Sequence, residues 1–162
     1  MSLPRIVVDN SAILPAFFAE KENDIFNAGL VTNRARALVN AIRMRRVDAF
    51  VPPSFYREFL NVSTRSLYEP GGRTHETTEA IREQWEDLLL LGLIPVRLDE
   101  IVHHSGILVF EDSCPAADAW YIAAAIHANA RLWISHEHRD GLVAIAKKHV
   151  DVRLLSDEAP KY

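Results

Sequence analysis

The sequence predicts an α/β protein: a central, mostly parallel sheet of four to five strands in a three-layer α/β/α arrangement. Three observations predict it. Short aliphatic runs rich in β-branched residues recur at 6–8, 49–52, 93–98, 131–135 and 152–155. Segments with helical apolar spacing separate them, and strands alternating with helices mean parallel strands joined by crossovers. The first run, Ile6-Val7-Val8, is apolar at consecutive positions, which suits a strand covered on both faces.

Arg5-Ile6-Val7-Val8-Asp9 opens the sheet and stops at a carboxylate. Asn10 and Ser11 are good N-caps, and Ala12, Ile13 and Leu14 lead into a helix over 11–20. Asp9 therefore stands at the carboxyl end of a central strand, the edge where open α/β sheets bind ligands. Read alone, it is better taken as a turn or capping residue. The polar stretch 20–24 is a solvated loop or helix end. Thr32 or Asn33 caps a second helix, with Ala35, Leu38, Val39 and Ile42 at i, i+3, i+4 and i+7. Its arginines, Arg34, Arg36, Arg43, Arg45 and Arg46, spread over more than one side. They read either as a solvated face or as a rim that grips phosphate.

The run at 49–52 stops at Pro52-Pro53, and proline suits the first turn of a helix. That helix extends from Pro53 or Ser54 to Ser66, with Phe55, Phe59 and Val62 as its buried stripe. Tyr68-Glu69-Pro70-Gly71-Gly72 is the clearest turn. Thr74 or Thr77 opens another helix, with Ile81, Trp85, Leu88 and Leu89 on one face and Gly92 closing it. In the run at 93–98, Pro95 suits an edge strand or a strand start. Asp99 caps a short helix to about residue 107. Ser113 or Cys114 caps the next, with Pro115 at its first position and Tyr121, Ile122, Ala125 and Ile126 on its apolar face. A strand at 131–135, a helix at 140–149 and a strand at 152–155 follow, and 156–162 reads as a loose tail. The extra helices between the second and third strands belong at one edge of the sheet.

With 162 residues, one domain over 1–155 with a sizeable core is expected. Hydrophobic residues at 49% and charged residues at 25% are ordinary for a globular chain. No apolar run approaches the roughly 18 residues of a membrane span, and none near Arg5 has signal-peptide length. The single cysteine, Cys114, excludes an internal disulfide and fits a reducing, cytoplasmic setting. A net charge of −4 counts against a bulk nucleic-acid binder, whose domain is usually basic. It leaves open an enzyme that holds phosphates through metal ions, because such a site itself concentrates acids.

Two further acids stand where acids are unusual. Glu58 lies three residues after Phe55 and four before Val62, on or beside the buried stripe. Asp118 lies three before Tyr121 and four before Ile122, at the head of an apolar face. Ionised carboxylates are rarely buried unless paired or bound to metal. Each alone reads as a solvated edge residue or a capping acid. Both, however, follow a strand and sit early in a helix, so with Asp9 three acids converge on one sheet edge. Like charges held together need a cation. The fourth strand ends Ile134-Ser135-His136-Glu137 with Asp140 close behind, and Glu137 or Asp140 reaches the same edge. Three or four oxygen ligands suit Mg²⁺ or Mn²⁺. Such ions activate water and neutralise charge on a phosphodiester, so the chemistry implied is in-line hydrolysis without a protein nucleophile.

Asp9-Asn10-Ser11 after a buried strand, Glu58-Phe59-Leu60-Asn61 in a helix, and Ala117-Asp118-Ala119-Trp120-Tyr121-Ile122-Ala123 resemble the spaced acidic motifs of PIN-domain nucleases. Size, order and spacing are most similar to the VapC-like toxins of type II toxin–antitoxin modules. The resemblance covers about residues 5–155. Each motif is short, and the specificity lies in three in order on an α/β background. It implies a PIN-like domain and a Mg²⁺- or Mn²⁺-dependent endoribonuclease, with Asp9, Glu58 and Asp118 as metal ligands. Ser11 and Asn61 would match polar residues that support the site. It also implies an RNA substrate, a homodimer, and a small antitoxin that covers the site. One departure stands out: where the family often has Thr-x-Asp after the fourth strand, this chain has Ser135-His136-Glu137. Glu137 keeps the charge and reaches about one methylene further, and Asp140 is the alternative fourth acid. The loop at 68–74 and the helix after it look extended.

Other chemistries find less support. His136 and His138 form an H-x-H pair, with His103-His104 elsewhere, but no further zinc ligands stand at convincing spacing. Cys114 reads as packing. A receiver-type phosphoacceptor wants paired acids after the first strand and a Lys near the last, whereas here one acid and Ser156-Asp157 stand there. Gly71-Gly72 does not lie between a strand and a helix start, so a glycine-rich nucleotide loop is absent. The rival of another class is a non-catalytic PIN-like module that binds RNA or protein, with the Glu137 departure as its signature.

Overall fold

The computed structural model describes residues 2–18, 28–135 and 142–162. Five short strands, β1 (Arg5–Val8), β2 (Asp48–Val51), β3 (Ile94–Pro95), β4 (Arg131–Ile134) and β5 (Val152–Leu154), build one all-parallel sheet in the order β3-β2-β1-β4-β5. Parallel neighbours need crossovers, and helices supply them. Helices α1 (Asn10–Phe17) and α2 (Ala28–Arg43) join β1 to β2, while α3 (Phe55–Ser63) and α4 (His75–Leu89) join β2 to β3. Helices α5 (Leu98–Glu111) and α6 (Ala116–Ala128) join β3 to β4, and α7 (Leu142–Lys147) precedes β5. The result is the expected α/β/α arrangement.

The strand order positions the site. The chain runs outward from β1 through β2 to β3, then returns to place β4 on the other side of β1. Connections on the two sides of β1 thus leave in opposite directions, and a crevice opens at the carboxyl ends of β1 and β4. Ile6, Val7 and Val8 are fully buried, as a central strand covered on both faces requires. Helix α6 packs on β1, β2 and β4 as well as on α5. It is buried almost all round because Ala119 and Ala123 to Ala125 let both neighbours approach closely. An aromatic cluster ties α1, α3 and α4 together. Phe17 meets Phe59 edge-on at 5.6 Å, and Tyr56 meets Trp85 edge-on at 6.0 Å.

Several boundaries differ from the sequence expectation, each for a local reason. Helix α2 begins at Ala28, ahead of Thr32. Helix α3 stops at Ser63 and tightens into a 3₁₀ turn at Arg65–Tyr68. Its buried side advances in steps of four through Phe55, Phe59 and Ser63, which turns Val62 outward to 52% exposure. Leu89 is likewise 52% exposed, so Ile81 and Leu88 carry the buried side of α4. Strand β3 has two residues where six were expected. Pro95 has no N–H to continue a ladder, and beyond it the Val96 N–H reaches back to Val51 O at 2.9 Å. Pro95 does lie at the sheet edge, as predicted. Helix α5 starts one residue before Asp99 and continues to Glu111; Glu100 turns back to accept the Arg97 N–H at 2.9 Å. Pro115 occupies the cap position of α6 rather than its first turn, and neither Ser113 nor Cys114 caps it. The C-terminal residues are anchored, not loose. Ser156 N–H donates to Ser135 O at 2.8 Å, and Trp133 Nε1 donates to the Tyr162 hydroxyl at 2.8 Å. The first helix ends at Phe17, and the predicted start of the 140–149 helix lies outside the described residues.

Four of the five arginines on and just after α2 have structural partners. Arg34 donates to Leu155 O and Ser156 O at 2.7 and 2.9 Å, and Arg43 pairs with Asp87 at 2.8 Å. Arg45 and Arg46 reach Gly92 O and Tyr162 O, each at 3.4 Å. These bonds tie α2 to other elements and leave little of a phosphate-gripping rim. No helix among the described residues is long and apolar enough to cross a membrane.

The aromatic cluster carries a stability prediction. Phe59→Ala empties a fully buried ring position and should cost about 3–5 kcal/mol, read as a lower denaturant midpoint. Val62→Ala, on the outward face, should change stability by less than about 0.5 kcal/mol in the same measurement.

Candidate functional site

Asp9 follows directly on β1 with extended backbone and caps α1 itself, in place of Asn10 or Ser11. One carboxylate oxygen accepts from the Ser11 N–H at 3.0 Å and from the Ser11 hydroxyl. The Asp9 N–H donates to Trp133 O at 3.0 Å, and the Ser11 hydroxyl oxygen accepts from the Ser135 N–H at 3.1 Å. Ser11 thus stitches the ends of β1 and β4 together while it holds Asp9. The capping reading and the site reading of Asp9 describe one geometry.

Glu58 stands in the first turn of α3, and Asp118 in the first turn of α6, where it is 8% exposed. Glu58 Oε2 accepts from the Tyr121 hydroxyl at 2.6 Å and from Asn10 Nδ2 at 3.3 Å. All three acids line one cavity of about 460 Å³, together with Ser11 and Asn61. Leu14, Ile134 and Val143 form its apolar wall, and Arg57 contributes a guanidinium. A recess of about 10 Å³ lies between Asp9, Asp118 and Tyr121, of the order of a single water-sized guest. Ser135 is buried beside Ser11. Glu137, Asp140, His136 and His138 lie outside the described residues.

Electrostatics mark the same spot. Burial pushes the Asp9 carboxyl above the usual carboxylate range; the two Ser11 hydrogen bonds oppose this, and the charges of Asp118 and Glu58 add to it. Burial, with the charge of Asp9 and the hydrogen bond to Glu58, pushes the Tyr121 phenol upward, so it stays a neutral donor. Burial, then Asp118, pushes the Cys114 thiol up to about 11, which removes it as a nucleophile at neutral pH.

The donor set suits a hard divalent cation in its chemistry. It offers three carboxylates, and beside them Asn10 Oδ1, a buried carbonyl oxygen with no hydrogen-bond partner among the described residues. The arrangement is not a closed cage: among the described residues, no three acids, histidines or cysteines are already grouped to hold one ion.

Three residues of the site escape a reading of the sequence. Asn10 reads as a helix cap. Tyr121 falls on the apolar stripe of its helix, although its position three residues after Asp118 on the same face was a usable signal. Nothing in the sequence separates Arg57 from the other arginines.

The raised pKa of Asp9 gives a signed prediction. Its ionised form is penalised in the folded chain, so the penalty is complete above the raised pKa and absent below the ordinary value. Asp9→Asn should therefore melt higher than the parent at pH 7, with the gain shrinking as pH falls through the raised pKa towards the ordinary one. Thermal melts from pH 3 to 8 check it, and a gain that grows with acid would contradict it. Compared with family models and with curated protein sequences, the chain matches none.

Proposed function

We propose that this chain is a Mg²⁺- or Mn²⁺-dependent endoribonuclease of the PIN-like kind, acting as the toxin of a two-protein module. The observation that carries the reading is the convergence of Asp9, Glu58 and Asp118, from three separate elements, on one cavity at the switch point of a parallel sheet. Asp9, Glu58 and Asp118 would hold the ion, with Glu137 or Asp140 as the fourth acid. The bound ion supplies activation of water and neutralisation of charge on the phosphodiester. Ser11 fixes Asp9 against the end of β4. Arg57 and Asn61, one helical turn apart on α3, bind and orient the RNA backbone at the cavity. The apolar wall of Leu14, Ile134 and Val143 limits the water around the carboxylates and strengthens their field. A cytoplasmic setting fits the single buried cysteine. A homodimer and a small antitoxin over the cavity rest on the resemblance alone.

A second reading has its own observation. The acids are not grouped as a closed ligand set among the described residues, which suits a non-catalytic module that binds RNA or protein.

One experiment separates the two: cleavage of a mixed RNA pool in Mn²⁺ or Mg²⁺, beside EDTA and an Asp118→Asn variant. Cleavage that needs both ion and Asp118 is expected. The variant should lose at least about 100-fold in rate, since loss of a ligand outweighs the 10- to 100-fold typical of an outer partner. No cleavage together with no metal binding would sink the nuclease and leave the module. Arg57→Ala should leave metal binding intact, weaken RNA binding several-fold, and reduce its salt dependence by about one phosphate contact. Filter binding at three salt concentrations reads this.

A further inference from the structure

Glu58 is held by one of its two oxygens. Its Oε2 accepts from the Tyr121 hydroxyl at 2.6 Å and lies 3.3 Å from Asn10 Nδ2. Asn10 Nδ2 also lies 2.8 Å from the Tyr121 oxygen and 3.1 Å from Phe55 O. The roles in this node are forced. A backbone carbonyl and a carboxylate only accept, so Asn10 presents its amide NH₂ to them. Tyr121 has one proton and gives it to Glu58, so it accepts from Asn10; Asn10 has two protons for three acceptors, so its longest contact, to Glu58, shares a proton with a shorter one. Asn10 is 6% exposed and Tyr121 3% exposed, which keeps water from competing for these bonds. The three side chains come from α1, α3 and α6, and all three line the cavity. The hydroxyl is not needed to fill space: its stripe neighbours Ile122 and Ala125 are apolar, and a buried hydroxyl costs free energy unless it is bonded.

We infer that Asn10 and Tyr121 are positioning residues that clamp Glu58 by Oε2 and leave Oε1 for a divalent cation in the cavity. The inference rests on the reading of this cavity as an ion site. No hydrogen bond among the described residues uses Oε1. A carboxylate fixed at one oxygen by two neutral donors keeps its full charge and loses its freedom to swing. That is the service outer-shell partners give to metal ligands. A cationic partner such as Arg would hold Glu58 equally well, but it would cancel the charge that an incoming ion needs.

The test is Mn²⁺ binding by the full chain, measured by calorimetry and by the paramagnetic resonance signal of free Mn²⁺. Four proteins are compared: the parent, Tyr121→Phe, Glu58→Ala, and the double variant. Tyr121→Phe should weaken Mn²⁺ binding about 10- to 100-fold. In the Glu58→Ala background the same substitution should change nothing, because its effect passes through Glu58. Unchanged binding by Tyr121→Phe overturns the clamp and leaves the ion site standing. Equal losses in both backgrounds also overturn it, since packing would then be the cause. A parent chain that binds no Mn²⁺ overturns the ion reading itself, and the clamp with it. Asn10→Ser cuts the same clamp from its other arm and carries the test where melting and near-ultraviolet dichroism show Tyr121→Phe to be unfolded.

Discussion

Carboxylates brought together repel, and the central elements of this fold are arranged around that constraint. Asp9 ends the most buried strand, Asp118 opens the most enclosed helix, and Glu58 opens the helix that follows the neighbouring strand. Neither Asp9 nor Glu58 forms an ion pair with a protein cation among the described residues. The ion pairs lie elsewhere, on exposed surfaces such as Arg82 with Glu79 and Arg97 with Asp99, where each contributes little. Asp9 and Glu58 are met by neutral donors instead: a hydroxyl and an N–H from Ser11 on Asp9, and a phenol from Tyr121 and an amide from Asn10 on Glu58. Neutral donors orient a carboxylate without discharging it. Burial of the Asp9 charge costs stability, and that cost is what the Ser11 bonds offset.

How the fold tolerates this follows from where it is rigid. Ser11 joins the ends of β1 and β4 across the switch point, and Ser156 and Arg34 tie the end of β5 to the same corner. The aromatic cluster of Phe17, Phe59 and Trp85 fastens α1, α3 and α4 beyond the opposite wall. The acids are thus set in a frame held by backbone hydrogen bonds and apolar packing, neither of which depends on their charge. A frame of that kind lets the site be strained without unfolding the protein.

Much of this frame was legible in the sequence. Runs such as Ile6-Val7-Val8 have no other good explanation than a strand covered on both faces, and Pro95 correctly announced an edge. Limits of periodicity explain the errors. Val62 and Leu89 fit an apolar stripe within the tolerance of helical spacing, but the stripe is wider than the surface there is to bury. The second helix is already formed at Ala28, four residues ahead of the capping residue expected at Thr32. The anchoring of Tyr162 on Trp133 joins residues 29 apart in sequence, and no local pattern encodes it. The three acids were legible because a carboxylate among apolar residues is conspicuous. Asn10 and Tyr121 were not, because an Asn after an Asp looks like a cap and a Tyr in an apolar face looks like core.

The ambiguity of Asp9 shows why local readings of an acid should not be set against functional ones. A capping carboxylate is fixed by backbone N–H groups at the start of a helix, which also point positive charge at it. In Asp9 the capping bonds use one oxygen, shared between the N–H and the hydroxyl of Ser11. In Glu58 the clamp likewise uses one oxygen, Oε2. Two acids, one capping α1 and one in the first turn of α3, are thus each secured on one side by neutral donors and face a common cavity. Capping and clamping supply orientation, and burial supplies an environment in which residual charge acts strongly. For the proposed ion, two carboxylates held in orientation beforehand would lower the ordering cost of binding.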